Sequence, residues 1–200
     1  MALQELGPSI DIHGGGEDLI FPHHENERAQ SECFTQTKFA SYWIHNGFVN
    51  INKEKMSKSK KNFFTIREIL EKYSGDVIRF FLLKSHYRSM LNFTFKGLDE
   101  SKTALTRLQI TLESNAAEHP TKETKDLLNN FETKFNDALN DDFNTPDAIG
   151  ILFEINKVIN TSKSGKQILK KLATQLGLFE QEKNNDPLSE TITELINQRQ

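Results

Sequence analysis

The chain has 200 residues, 36% of them hydrophobic and 26% charged, with a net charge of −3, which is enough to bury a real core and is ordinary for a soluble globular protein. No run approaches the roughly 18 apolar residues of a membrane span, and MALQELGPSI lacks the basic start and apolar stretch of a secretory signal. The single cysteine, Cys33, cannot form an intramolecular disulfide, so a cytoplasmic location is expected, and any nucleic-acid partner must meet a local basic patch rather than a basic whole.

Along the chain, Ser9-Ile10-Asp11-Ile12-His13 alternates polar and apolar residues and then meets Gly14-Gly15-Gly16, the pattern of a short strand running into a tight loop. Pro22 suits the first turn of a helix, expected over 22–38. Tyr42-Trp43-Ile44 and Gly47-Phe48-Val49-Asn50-Ile51 read as a β-hairpin turning at Asn46-Gly47. A lysine-rich loop follows over 53–62. Thr65 with Glu68 spells a capping box for a short helix that Gly75 would stop, and 76–87 is expected as a helix with Val77, Phe80 and Phe81 in the core.

Composition shifts near residue 95, and from about 96 four or five helices are expected. Leu98, Leu105, Leu108 and Leu112 form one apolar stripe. Leu127, Leu128, Phe131, Phe135 and Leu139 form a second. Thr145-Pro146 reads as an N-cap with proline at the first helical position, opening a helix with Ile149, Leu152, Phe153 and Ile159. Gly165 would separate it from a shorter helix ending near Leu176-Gly177. Short connections favour an antiparallel bundle. The stretch 181–187 is polar and reads as a linker, and the residues from Leu188 on have too little chain to pack.

Three segments carry chemistry. His23 and Glu27 are four apart and share a helix face, where an imidazole and a carboxylate can meet one metal ion; the same spacing also describes a solvated surface pair. Residues 53–61 hold five lysines and one glutamate, a local charge of +4. Ammonium groups with intervening hydroxyls suit a polyphosphate, and a solvated basic loop or a patch on a nucleic-acid backbone would look alike. Gly14-Gly15-Gly16 with Asp18 lets a backbone approach a ligand while a carboxylate takes its hydroxyls, as a plain turn also would.

Taken together, HGGGEDLIFPHHENERAQ at 13–30 followed by KMSKS at 55–59 resembles the second half of the class I catalytic domain of cysteinyl-tRNA synthetases. KMSKS alone marks class I synthetases in general; the order GGG, PHHENE, KMSKS is far more specific. The likeness continues through FFTIREIL at 63–70, the segment 76–87 and ALNDDFNTPDA at 138–148. It implies an α/β-plus-all-α fold: the second half of a Rossmann-type domain over 1–62, a connecting helical segment over 63–95, a DALR-like helical bundle over 96–180, and a linker with the start of a C-terminal region over 181–200.

The resemblance also implies a reaction. Cysteine and ATP would give cysteinyl-adenylate, and the cysteinyl group would pass to tRNA(Cys). A zinc ion would bind the substrate thiolate, with His23 and Glu27 as two of its ligands and His24 and His13 lining the floor of the site. Lys58, supported by Lys55, would contact the ATP phosphates, and Gly14, Gly15, Gly16 and Asp18 would lie beside the adenylate. Two further zinc ligands and the HIGH signature of the family's first half are missing from these residues. The chain alone is therefore expected not to aminoacylate tRNA, and its partners are expected to include the missing N-terminal half or a second copy of itself. Two other readings stand beside this one: the related cysteine ligase of mycothiol synthesis, and a non-catalytic synthetase fragment that binds tRNA or protein.

Overall fold

The computed structural model describes residues 2–51, 54–55, 64–114, 122–158 and 163–180. After α1 (Ala2–Leu6), strand β1 (Ile10–Gly16) runs through the glycine triplet instead of stopping before it. It pairs in parallel with β2 (Ala40–Asn46), placing Ile12 opposite Tyr42 and His13 opposite Trp43. The strands lie so close that a Cβ on Gly14 would meet the carbonyl oxygen of Ile44, so Gly14 serves strand pairing rather than a loop. Between the strands, a 3-10 turn (Glu17–Leu19) and a π-helical turn (Ile20–His24) lead into α2 (Glu25–Thr35). The helix expected over 22–38 thus opens with a widened turn and closes early, at Gln36, which is left-handed with φ 54°.

Asn46-Gly47 is not a hairpin turn. β2 already has its partner in β1, and β3 (Val49–Ile51) belongs to a second sheet, antiparallel to β4 (Glu54–Lys55) and parallel to β5 (Leu91–Phe93). The expected capping box is present at α3 (Ile66–Leu70): Glu68 N–H donates to Thr65 Oγ1 at 3.2 Å, and Thr65 N–H donates to Glu68 Oε2 at 2.7 Å. Gly75 does not stop that helix but begins the next, α4 (Gly75–Leu83), which ends before the expected 87.

Four helices complete the described residues: α5 (Phe95–Glu113), α6 (Lys122–Asn140), α7 (Thr145–Val158) and α8 (Lys163–Gln175). The cap of α7 sits one residue earlier than expected. Asp147 N–H donates to Asn144 Oδ1 at 3.2 Å, and Asn144 Nδ2 donates back to Asp147 Oδ2 at 2.8 Å. Thr145 is freed to donate its hydroxyl to Leu83 O at 2.8 Å, tying α7 to the end of α4. Gly165 lies inside α8 and does not precede it. Ile159, the 181–187 linker and the terminal segment lie outside the described residues.

The main core is continuous from Ile51 to Leu178 and includes Phe80, Phe81, Leu98, Leu108, Phe135, Leu152 and Leu172. Each such side chain contributes roughly 1.5–3 kcal/mol on burial. Leu127, placed on the same stripe by sequence, is exposed, while its neighbour Leu128 is buried. Among the described residues, the buried hydrophobics outside this core are Phe39 and Ala40, which belong to the β1–α2–β2 unit. No helix of the described residues is long and apolar enough to cross a membrane.

Candidate functional site

Side chains alternate across a strand, so the parallel register puts His13 and Gly15 of β1 on the same side as Trp43 and His45 of β2. The π-helical turn and α2 cover that side. The missing side chain at Gly15 makes room: a Cβ there would stand 2.8 Å from Leu19 Cδ1 and 3.1 Å from His24 Cε1. His24 is thereby drawn into the interior, where it is buried. Its ring meets His13 edge-on at 4.7 Å, and its Nδ1 lies 2.8 Å from Nε2 of His45. Trp43 meets His13 edge-on at 4.8 Å and stacks on His45 at 6.0 Å.

Glu27, on the first turn of α2, brings Oε2 to 2.9 Å from His13 Nε2. That nitrogen is buried, and the approach of the carboxylate lacks the alignment of a hydrogen bond. Donor atoms from His13, His24 and Glu27 all lie within 4.8 Å of one another. Burial, reinforced by the neighbouring His13 and His45, holds the His24 pKa below its ordinary value; a neutral imidazole keeps a lone pair for a ligand or a proton. Two nitrogens and one carboxylate oxygen converging with a poorly satisfied buried nitrogen fit a borderline cation such as zinc, which takes three protein ligands and a further group.

The structure divides the residues singled out from sequence. His13, His24 and Glu27 come together. His23, expected beside Glu27 as a ligand, is exposed and stands outside the group. Positions three and four apart both share a helix face; β1 packs on the side that selects His24 over His23. Gly14, Gly15 and Gly16 line up in β1 beside the cluster, and the Asp18 carboxylate folds back to where a Gly16 side chain would be. Lys55 ends β4, and Lys58 lies outside the described residues. His45 and Trp43 were missed by the sequence reading. The run Ala40-Ser41-Tyr42-Trp43-Ile44-His45-Asn46 has no polar–apolar alternation to mark them, and only the pairing with β1 puts both on one face.

Comparison with known proteins agrees with this architecture. A DALR domain model matches residues 134–181. The chain is 50% identical over 188 residues to a cysteine–tRNA ligase of Methylococcus capsulatus, covering 90% of this chain and 40% of that protein. It is 45% identical to a cysteine–tRNA ligase of Caldicellulosiruptor saccharolyticus, covering 100% of this chain and 47% of the relative. The chain therefore spans less than half the length of these relatives. In shape it is similar to the LeuRS of Agrobacterium radiobacter K84, solved with tRNA and LeuAMS: the TM-score is 0.63 at 17% identity, over 85% of this chain and 28% of that one, a likeness of fold. The model of the tRNA synthetases class I (C) catalytic domain matches residues 1–103, more than half of the chain, and this chain belongs to that family.

Proposed function

We propose that this chain is part of a cysteine–tRNA ligase, which activates cysteine with ATP and transfers it to tRNA(Cys). The observation that carries this reading is the donor group of His13, His24 and Glu27 beside the glycine strand, in a chain whose relatives bear that name. When bound, zinc supplies a preference for thiolate over hydroxyl, the discrimination that cysteine recognition requires. Glu27 belongs to the donor set in either assignment; the 4.8 Å grouping favours His24 and His13 as its companions over His23. His45 orients His24 by holding its Nδ1, a partner of the kind that fixes ligating imidazoles. Gly14, Gly15 and Gly16 would let the adenylate approach the backbone while Asp18 takes its hydroxyls, and Lys55 and Lys58 would neutralise the phosphates.

The boundaries at 62, 95 and 180, an antiparallel arrangement of α5 to α8, a role for that bundle in docking tRNA, and a cytoplasmic location belong to the same reading. So does a partner for the β1–β2 pair. Ile12 and Tyr42, opposite each other on the side away from α2, are both exposed, and parallel sheets ordinarily have both faces covered. The remaining length of the ligase is the occupant we propose there.

Cysteine-dependent ATP–pyrophosphate exchange tests the proposal, measured on this chain alone and mixed with a polypeptide supplying the rest of the Methylococcus capsulatus relative. Exchange in the mixture, abolished by Glu27→Ala with loss of bound zinc, is the expected result. A mixture without exchange, when the intact relative exchanges under the same conditions, overturns it.

A further inference from the structure

The segment 83–91 touches both halves of the molecule. On one side Gly47 N–H donates to Tyr87 O at 2.8 Å and Leu91 N–H donates to Phe48 O at 2.8 Å, which fastens the segment to the β2–β3 connection. On the other, three successive side chains hold the turn between α6 and α7. His86 Nε2 lies 3.0 Å from Asp142 O, and Tyr87 Oη donates to Asp142 Oδ1 at 2.7 Å. Arg88 grips both carboxylate oxygens, Nε to Oδ2 at 2.7 Å and Nη2 to Oδ1 at 3.1 Å. The His86 and Tyr87 rings stack at 4.9 Å, and the Arg88 guanidinium carbon lies 5.4 Å from the Tyr87 ring centre, so the three side chains touch one another as well as Asp142.

What they grip is a strained turn. Asp142 and Phe143 are both left-handed, with φ 53° and 56°, a region that side chains as bulky as phenylalanine rarely adopt. Such a conformation persists only where its surroundings over-determine it. Here those surroundings include the Asp142 contacts, the Thr145 hydroxyl on Leu83 O, and backbone bonds that close α6, from Phe143 N–H to Leu139 O at 3.1 Å and from Asn144 N–H to Ala138 O at 3.1 Å.

We propose that residues 83–91 act as a strap through which the helical bundle positions β3 and β4, and that Asp142 is the positioning residue that locks it. The path is short: Asp142 holds Tyr87 and Arg88, Tyr87 holds Gly47, and Gly47 precedes β3, which pairs with β4 and its Lys55. The functional sense of the strap rests on the reading that Lys55 serves a phosphate site.

Amide hydrogen exchange, followed residue by residue on this chain, tests the strap without any catalysis. Asp142→Ala removes the grip. Asp142→Asn keeps an acceptor for Tyr87 and a residue that tolerates the left-handed backbone, while losing the charge opposite Arg88. In the alanine variant the Gly47 and Leu91 amides are expected to exchange roughly ten-fold faster, with Leu105 and Leu108 of α5 unchanged; the asparagine variant falls between. Unchanged Gly47 and Leu91 amides overturn the strap, and so does an acceleration shared equally by α5. Should Asp142→Ala fail to fold, Arg88→Ala makes the same comparison from the other partner. Because this readout needs no ligase activity, failure of the strap and failure of the ligase reading are separate results.

Discussion

Gly47→Ala and Gly150→Ala make the same chemical change in opposite surroundings. Gly47 is buried, and a Cβ there would stand 2.5 Å from Ser89 O, 2.7 Å from Ser89 C and 2.9 Å from Arg88 O. These are backbone atoms, so no rotamer change relieves the clash, and the Gly47 N–H bond to Tyr87 O must stretch as the chains part. Overpacking of this kind costs about 1–3 kcal/mol, and a weakened hydrogen bond adds about 1 kcal/mol. Reduced freedom of the unfolded chain offsets about 0.4–1 kcal/mol, leaving a net loss of roughly 1–3.5 kcal/mol. Gly150 is exposed within α7, and a Cβ there meets nothing within 4 Å; alanine at such a helix position stabilises by about 0.5–1 kcal/mol. Urea unfolding should therefore shift the two midpoints in opposite directions with the slope unchanged. A Gly47→Ala protein as stable as the parent would refute the close approach between β3's entry and the strap.

Phe135→Ala should cost about 3–5 kcal/mol because the ring is fully buried within the bundle core, whereas Leu127→Ala on the same helix should stay within about 0.5 kcal/mol; chemical denaturation of both variants checks the contrast. Burial, with His13 and His45 nearby, holds the His24 pKa below the ordinary imidazole value of 6.5 in the folded chain, so between the two values the unfolded state binds more protons. Its contribution is fully present above about pH 6.5 and is lost as the pH falls through the folded value; His24→Gln should flatten this part of a stability–pH profile measured without added metal.

The helical half was legible from sequence because its signal is long. Apolar residues recurring at helical spacing over 19 residues of α5 and 19 of α6 average out local exceptions such as Leu127. The Thr65–Glu68 box was legible for the opposite reason, since its two hydrogen bonds are local and need no tertiary partner. The sheets were harder. Parallel pairing of β1 with β2 is a long-range choice that turn chemistry at Asn46-Gly47 cannot reveal, and β5 is three residues long, too short for alternation to register. At the site, spacing paired Glu27 with His23, four residues away; the packing of β1 on α2, a tertiary contact that spacing does not show, brings His24 to Glu27 and leaves His23 exposed.

The distribution of burial bears on how such a site can work. The main core, from Ile51 to Leu178, contains side chains at 0–1% exposure contributed by α4 through α8. The β1–α2–β2 unit, which carries His13, His24, Glu27 and His45, buries Phe39, Ala40 and His24 but leaves Phe21 and Phe34 on its surface at 77% and 81% exposure, with Ile12 and Tyr42 also exposed. Local stability follows the density of buried apolar contacts, so the donor cluster sits on the least stabilised part of the described chain, joined to the best packed part through Gly47 and the strap. An ion or substrate that bound the cluster would add stability to a unit that buries few apolar side chains. By mass action, such a ligand would stabilise the β1–α2–β2 unit in proportion to how tightly the cluster holds it, and most visibly there because so little apolar surface of that unit is buried.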